Sequence, residues 1–187
     1  MRHIWLIFWL ILGCSKPEKS IPNVEVLFDS AKLIKKNDIL HYENQIFDGY
    51  ITERNFTGKL ISKSGYLNGK LEGLQQKWFN DGTKKEVRFY HRNSKVGKHE
   101  GWYKNGIKKF EYLIENDIPV GVHREWFSNG KPFSLFTYYK MGQPEGLQKM
   151  WFQNGQIRAN YIVKNKRRFG LLGAKGCMGM QERKNMI

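Results

Sequence analysis

Cysteine is nearly missing from the 187-residue chain, which has only Cys14 and Cys177. Two cysteines exclude a disulfide-stapled scaffold. Acidic residues are scarce as well: 17 Asp and Glu stand against 32 Lys and Arg, a formal net charge of +15. No apolar run reaches the roughly 18–20 residues that span a bilayer. There is no Gly-x-Ser-x-Gly elbow, no phosphate loop and no paired-carboxylate motif. His41, His91, His99 and His123 show no metal-ligand spacing. No catalytic residue, metal site or cofactor is therefore expected. What is present argues against disorder, because 40% of the residues are hydrophobic and 14% aromatic. Glycine is plentiful, 19 residues where an average chain has about 7%. The length suits one modest domain.

The first residues read as an address. Arg2 provides a positive charge and Ile4 through Leu12 is an unbroken apolar run. It is too short to span a membrane and suits the core of a signal peptide. The run ends in Ile11-Leu12-Gly13-Cys14, followed by the polar stretch Ser15 to Ser20. This resembles the lipobox of bacterial lipoproteins, although Leu12 is bulkier than the usual residue there. The resemblance implies cleavage before Cys14 and acylation, for instance with palmitate, of its thiol. Ordinary secretion with cleavage near Ser15 is the alternative. On this reading residues 1–13 are a signal peptide and residues 14–22 a tether. Acyl anchoring holds a chain firmly when several chains are attached. It would leave Cys177 without an intramolecular partner.

The body is a repeat. Trp78, Trp102, Trp126 and Trp151 stand 24, 24 and 25 residues apart, and each is followed by an aromatic: Phe79, Tyr103, Phe127 and Phe152. Four residues after each Trp comes Gly82, Gly106, Gly130 or Gly155, and five before it stands Gly73, Gly97, Gly121 or Gly146. Gly49, Gly58 and Gly170 keep the phase outward, and the one extra residue falls between Gly130 and Gly146, near Gly142. Asp81-Gly82, Asn105-Gly106, Asn129-Gly130 and Asn154-Gly155 predict type I′ hairpin turns between strand-like runs. The predicted fold is all-β, an antiparallel meander of hairpins in a single sheet. Residues 23–48 are read as entry strands, residues 49–170 as the hairpin repeats and residues 171–187 as a cap and tail. Arg54 stands where the first repeat would have its Trp. Such atypical units are common at the ends of repeat arrays.

The unit Glu72-Gly73-Leu74 … Trp78-Phe79-Asn80-Asp81-Gly82, repeated at Glu145-Gly146-Leu147 … Trp151-Phe152-Gln153-Asn154-Gly155, is similar to the MORN-type repeat of bacterial envelope proteins. The resemblance implies a scaffold or adaptor without catalytic residues. Some bacterial proteins with such repeats carry an antitoxin label. An antitoxin that sequesters a toxin in the cytoplasm is thus the competing reading, and export separates the two.

Alternation puts the four Trp on one face, as a packing stripe. Phe79, Tyr103, Phe127 and Phe152 point to the other face; if exposed, they form a stripe suited to a protein partner. On the second strands, Arg88, Tyr112, Phe136 and Tyr161 share a face with Tyr90, Ile114, Tyr138 and Val163. His99 and His123 occupy the same repeat position. Lys84-Lys85, Lys108-Lys109 and Lys164 through Arg168 recur near strand starts and the end. They suggest attraction to an anionic surface such as lipid headgroups. Export argues against nucleic acid. Cys177, Met178 and Met180 are soft ligands on a glycine-rich tail, read as an inert cap. The expectation is a lipid-anchored envelope protein facing the periplasm or exterior, binding a protein or an anionic surface.

Overall fold

The computed structural model describes residues 20–173. Cys14, the signal segment, most of the tether and the Cys177 group lie outside the described residues. The entry segment holds β1 (Glu25–Leu27), β2 (Leu33–Lys36), β3 (Ile39–Tyr42) and β4 (Gln45–Ile46). The repeats follow as β5 (Gly49–Arg54), β6 (Leu60–Leu67), β7 (Lys70–Trp78), β8 (Lys84–His91), β9 (Ser94–Trp102) and β10 (Lys108–Glu115). Then come β11 (Ile118–Trp126), β12 (Pro132–Tyr138), β13 (Pro144–Trp151), β14 (Ile157–Lys164) and β15 (Arg167–Leu171). Among the described residues there is no α-helix, and one 3₁₀ turn spans Lys140–Gly142. One sheet runs in the order β1-β5-β6 and onward strand by strand to β15. It is an open antiparallel meander of consecutive hairpins; only β1 lies parallel to its neighbour β5.

The two edges formed by the turns differ in chemistry. At one edge the Asx-Gly loops do not form type I′ turns, contrary to the sequence expectation. Gly82 N–H donates to Phe79 O at 2.8 Å and Phe79 N–H to Thr83 O at 2.8 Å. Gly82 has φ +93° while Asp81 is not left-handed. This is a type I turn closed by a glycine bulge, the three-residue solution. The same pattern recurs at Gly106, Gly130 and Gly155. Two-residue turns with paired positive φ sit at the opposite edge, at Asn68-Gly69, Arg92-Asn93, Asn116-Asp117 and Asn165-Lys166. The turn Tyr139–Gly142 takes three residues where the others take two, which accounts for the 25-residue spacing.

The glycine five residues before each Trp marks a second device. Gly97, Lys98 and His99 of β9 together oppose the single residue Arg88 of β8. The same three-against-one bulge occurs at residues 121–123 and 145–147. Gly73, Gly97, Gly121 and Gly146 all have φ between +66° and +78°, which is why glycine stands there.

Burial is uneven. A small sheet, β2-β3-β4, covers the first repeats, joined to them by Leu40 N–H to Gly69 O at 2.8 Å. Val26, Phe47 and Ile51 are buried beneath, with Leu33, Leu40, Tyr42 and Tyr66 packed around them. Further along, one face of the long sheet holds the buried residues. His99, His123, Ser134, Gln148, Ala159 and Val163 all lie on it by register. The other face, which carries the Trp ladder, is open.

Candidate functional site

Two surfaces emerge from this placement. The first is the edge made by the Asx-Gly loops. Each Asx side chain caps its own turn: Asp81 Oδ1 accepts from Thr83 N–H at 2.9 Å, and Asn105, Asn129 and Asn154 do likewise two residues on. The bonds to Thr83 hold the Asp81 carboxyl below the usual carboxylate range. Neighbouring loops are laced together. Asn55 Nδ2 donates to Asn80 O at 3.3 Å and Asn105 Nδ2 to Ser128 O at 2.8 Å. The edge is therefore a fixed row of loops rather than independent tips.

That row is basic and aromatic. Lys85 Nζ sits 5.6 Å from the Phe79 ring centre, Lys109 Nζ 5.6 Å from Tyr103 and the Arg158 guanidinium 5.9 Å from Phe152. All three cations stand three residues after their turn glycine. In the remaining repeat Phe133 takes this place and meets Phe127 edge-on at 5.1 Å. Such cation–π contacts are worth about 0.5–1 kcal/mol at exposed sites. Among the described residues Lys85, Lys109, Lys131 and Arg158 make no ion pair, and only Asp81, 3.8 Å from Lys104, brings a carboxylate to the loop tips. By contrast Lys108 is spent: Glu100 and Glu111 hold it at 2.7 and 2.8 Å, which raises its pKa and lowers theirs. A cleft of about 500 Å³ opens between the first two Trp loops, lined among others by Phe79, Lys85, Tyr103, Lys109 and by Arg88, which is paired with Glu86.

The sequence-predicted residues fall as follows. Trp78, Trp102, Trp126 and Trp151 are half-buried on one face, with Lys84 Nζ 5.3 Å from Trp102 and Lys149 Nζ 6.0 Å from Trp151. Phe79, Tyr103 and Phe127 are half-buried on the opposite side and do not form a bare stripe; Phe152 alone of the four is 47% exposed. Gly58, Gly82, Gly106, Gly130 and Gly155 all have φ between +79° and +94°. His99 and His123 are not stacked on each other. His123 stacks on Tyr112 at 4.8 Å and meets Tyr138 at 4.7 Å, while His99 is the cross-strand partner of Tyr112. Among the described residues no three His, Cys, Asp or Glu side chains gather as a metal site.

The second surface was missed in the sequence. Leu74, Phe89, Leu113, Leu147, Ile162 and Phe169 are exposed on the Trp face. The signal was available. Phe89, Leu113 and Ile162 each lie seven residues after a turn glycine, with Thr137 at the fourth equivalent place.

No protein-family model matches the chain, and no curated protein matches it.

Proposed function

We propose that the chain is a non-catalytic binding scaffold of the cell envelope, anchored by lipid at Cys14. It faces the periplasm or exterior and presents its repeat sheet to an anionic surface or to a protein. The observation that supports this best is the laced loop edge, where Lys85, Lys109 and Arg158 lie over aromatic rings and, among the described residues, have no carboxylate partner. An oxyanion can approach these cations without first breaking an ion pair. Each is worth about 1 kcal/mol near an anionic membrane. Three together amount to roughly a hundredfold in binding. The exposed apolar band on the Trp face supports a protein partner on the other side. The MORN-type and lipobox resemblances belong to this reading, and a meander of 24-residue hairpins is compatible with the first.

Two measurements test it. Labelling with radioactive palmitate should mark the wild type and not Cys14→Ala, and the label should fractionate with membranes. Unanchored Cys14→Ala protein should co-sediment with vesicles containing phosphatidylserine better than with phosphatidylcholine alone. Combined Lys85→Ala, Lys109→Ala and Arg158→Ala should remove roughly a hundredfold of that affinity. A soluble, unlabelled, full-length wild type in the cytoplasm would overturn the address and leave the toxin-sequestering reading. Vesicle binding unchanged in the triple variant would overturn the role of the loop edge.

A further inference from the structure

We propose that β15 is an open docking edge that takes an acidic, extended segment of another protein as an added strand. The proposal rests neither on the anchor at Cys14 nor on the loop edge.

The two ends of the long sheet are finished differently. At its start β1 lies parallel on β5 and the β2-β3-β4 sheet covers the first repeats around a small buried core. At its end β15 pairs with β14 from Lys164↔Arg167 to Asn160↔Leu171, and among the described residues the strand order stops there. All five β15 residues are exposed. Repeat arrays ordinarily close with a polar capping unit. An uncovered edge presents a row of unsatisfied N–H and C=O groups, which template another strand. Proline and β-bulges are the usual ways of blunting such an edge. β15 has no proline, and its pairing with β14 runs without a register shift.

What remains is charge, and it is all of one sign. Lys164, Lys166, Arg167 and Arg168 surround the edge, and among the described residues none of them makes an ion pair. Arg168 lies 5.7 Å from the Tyr161 ring centre, on the face of the sheet opposite Phe169. A second copy docking β15 on β15 would set four cations against four. That repulsion selects against self-pairing, whereas acidic residues on an incoming strand complement the edge. Apolar side chains give the other half of the recognition. Leu147, Ile162 and Phe169 form one registered row across β13, β14 and β15 on the Trp face, and all three are exposed. An added strand with apolar residues at alternate positions extends that row, while its acidic residues, on the opposite face, meet Arg168.

The test uses the full chain and a fluorescein-labelled peptide alternating Val or Ile with Glu. Controls are a peptide of the same composition with its Glu grouped in one block, and a version with Lys for Glu. Hydrogen exchange reads the β15 amides in the free and mixed states, and anisotropy reads affinity. The free chain should exchange rapidly at the β15 amides that face away from β14, and the alternating acidic peptide should slow exchange there. Arg167→Glu combined with Arg168→Glu should weaken binding by about tenfold or more. Both side chains are exposed, so folding should survive, which the Trp fluorescence checks. Binding should persist in the Lys85, Lys109 and Arg158 triple variant, which separates this edge from the loop edge. Protection in the free chain of the β15 amides that face away from β14 would overturn the proposal, whether a second copy or residues 174–187 provide it. So would equal binding of the Lys-containing peptide, or protection appearing at the Asx-Gly loops instead of β15.

Discussion

Replacing His99 by Gln should flatten one component of the acid sensitivity of this sheet. The imidazole is 0% exposed, its Nε2–H donates to Val96 O at 3.1 Å, and its Nδ1 has no partner. Burial pushes the His99 pKa below its ordinary value of 6.5, and Arg88 and Lys95 act in the same direction. The native state thus excludes a proton that the unfolded chain accepts below about pH 6.5. Stability from the neutral ring is fully present above that pH. It is lost as pH falls, until the native pKa is reached. The loss is about 1.4 kcal/mol per pH unit for one proton. With a urea dependence of roughly 1–3 kcal/mol/M, that moves the midpoint by about 0.5–1.4 M per unit. The repeat itself supplies the replacement. Gln148 holds the equivalent position and donates Nε2–H to Thr137 O at 2.8 Å from a site only 1% exposed. His99→Gln should match the wild type near pH 7.5 and exceed it increasingly from about pH 6.5 downward. Urea titrations followed by Trp fluorescence give the difference directly, since other titrating groups are common to both proteins. Parallel pH profiles for the two would refute the reasoning.

Four further substitutions probe other devices. Gly101→Ala would bring a Cβ to 2.2 Å from the Phe110 ring, itself stacked on Tyr112 at 4.7 Å, and should lose about 1–3 kcal/mol in urea with a changed near-UV signal. Gly97→Ala meets only Phe89 Cβ at 3.8 Å and should lose about 1–2 kcal/mol, from its left-handed backbone alone and without that spectral change. Tyr112→Phe removes the donor to Glu125 and should cost about 1.5–3 kcal/mol; in the wild type, burial and Glu125 raise the Tyr112 pKa, so this phenol should ionise last in a spectroscopic titration. Arg92→Asn places a residue tolerant of φ +50° in its turn and should raise urea stability by about 0.5–1 kcal/mol, since the Glu72 bond is to the Arg92 backbone N–H and is retained.

The meander was legible because turn glycines and tryptophans recur in one phase, and hairpin pairing is local. The turn type was not. Asx-Gly suits either a two-residue I′ turn or a three-residue loop with a glycine bulge, and the strand lengths decide between them. The I′ turns went instead to Arg92-Asn93 and Asn116-Asp117, where no glycine marks the place. Their second residues are held by tertiary bonds: Asn93 Oδ1 accepts from Leu71 N–H at 2.7 Å and Asp117 Oδ1 from Lys95 N–H at 2.9 Å. Such a clasp between hairpins cannot be seen in one repeat. The parallel docking of β1 on β5 was equally hidden, since no turn signal announces a non-local pairing. At the loop edge, the lysines were visible at their spacing. Which of them would be consumed by carboxylates was not, because Glu100 and Glu111 reach Lys108 across strands.

The strand order, sequential from β5 to β15, has a mechanical meaning. The chain enters at one margin of the long sheet and leaves at the other, about 50 Å away at ~4.8 Å per strand. Tension between the ends does not shear many hydrogen bonds at once. It peels hairpins from the uncovered margin one by one, each releasing some 24 residues of slack while the rest of the ladder stays intact. A molecule of this build yields at low force and lengthens in steps, an extensible tether rather than a rigid strut.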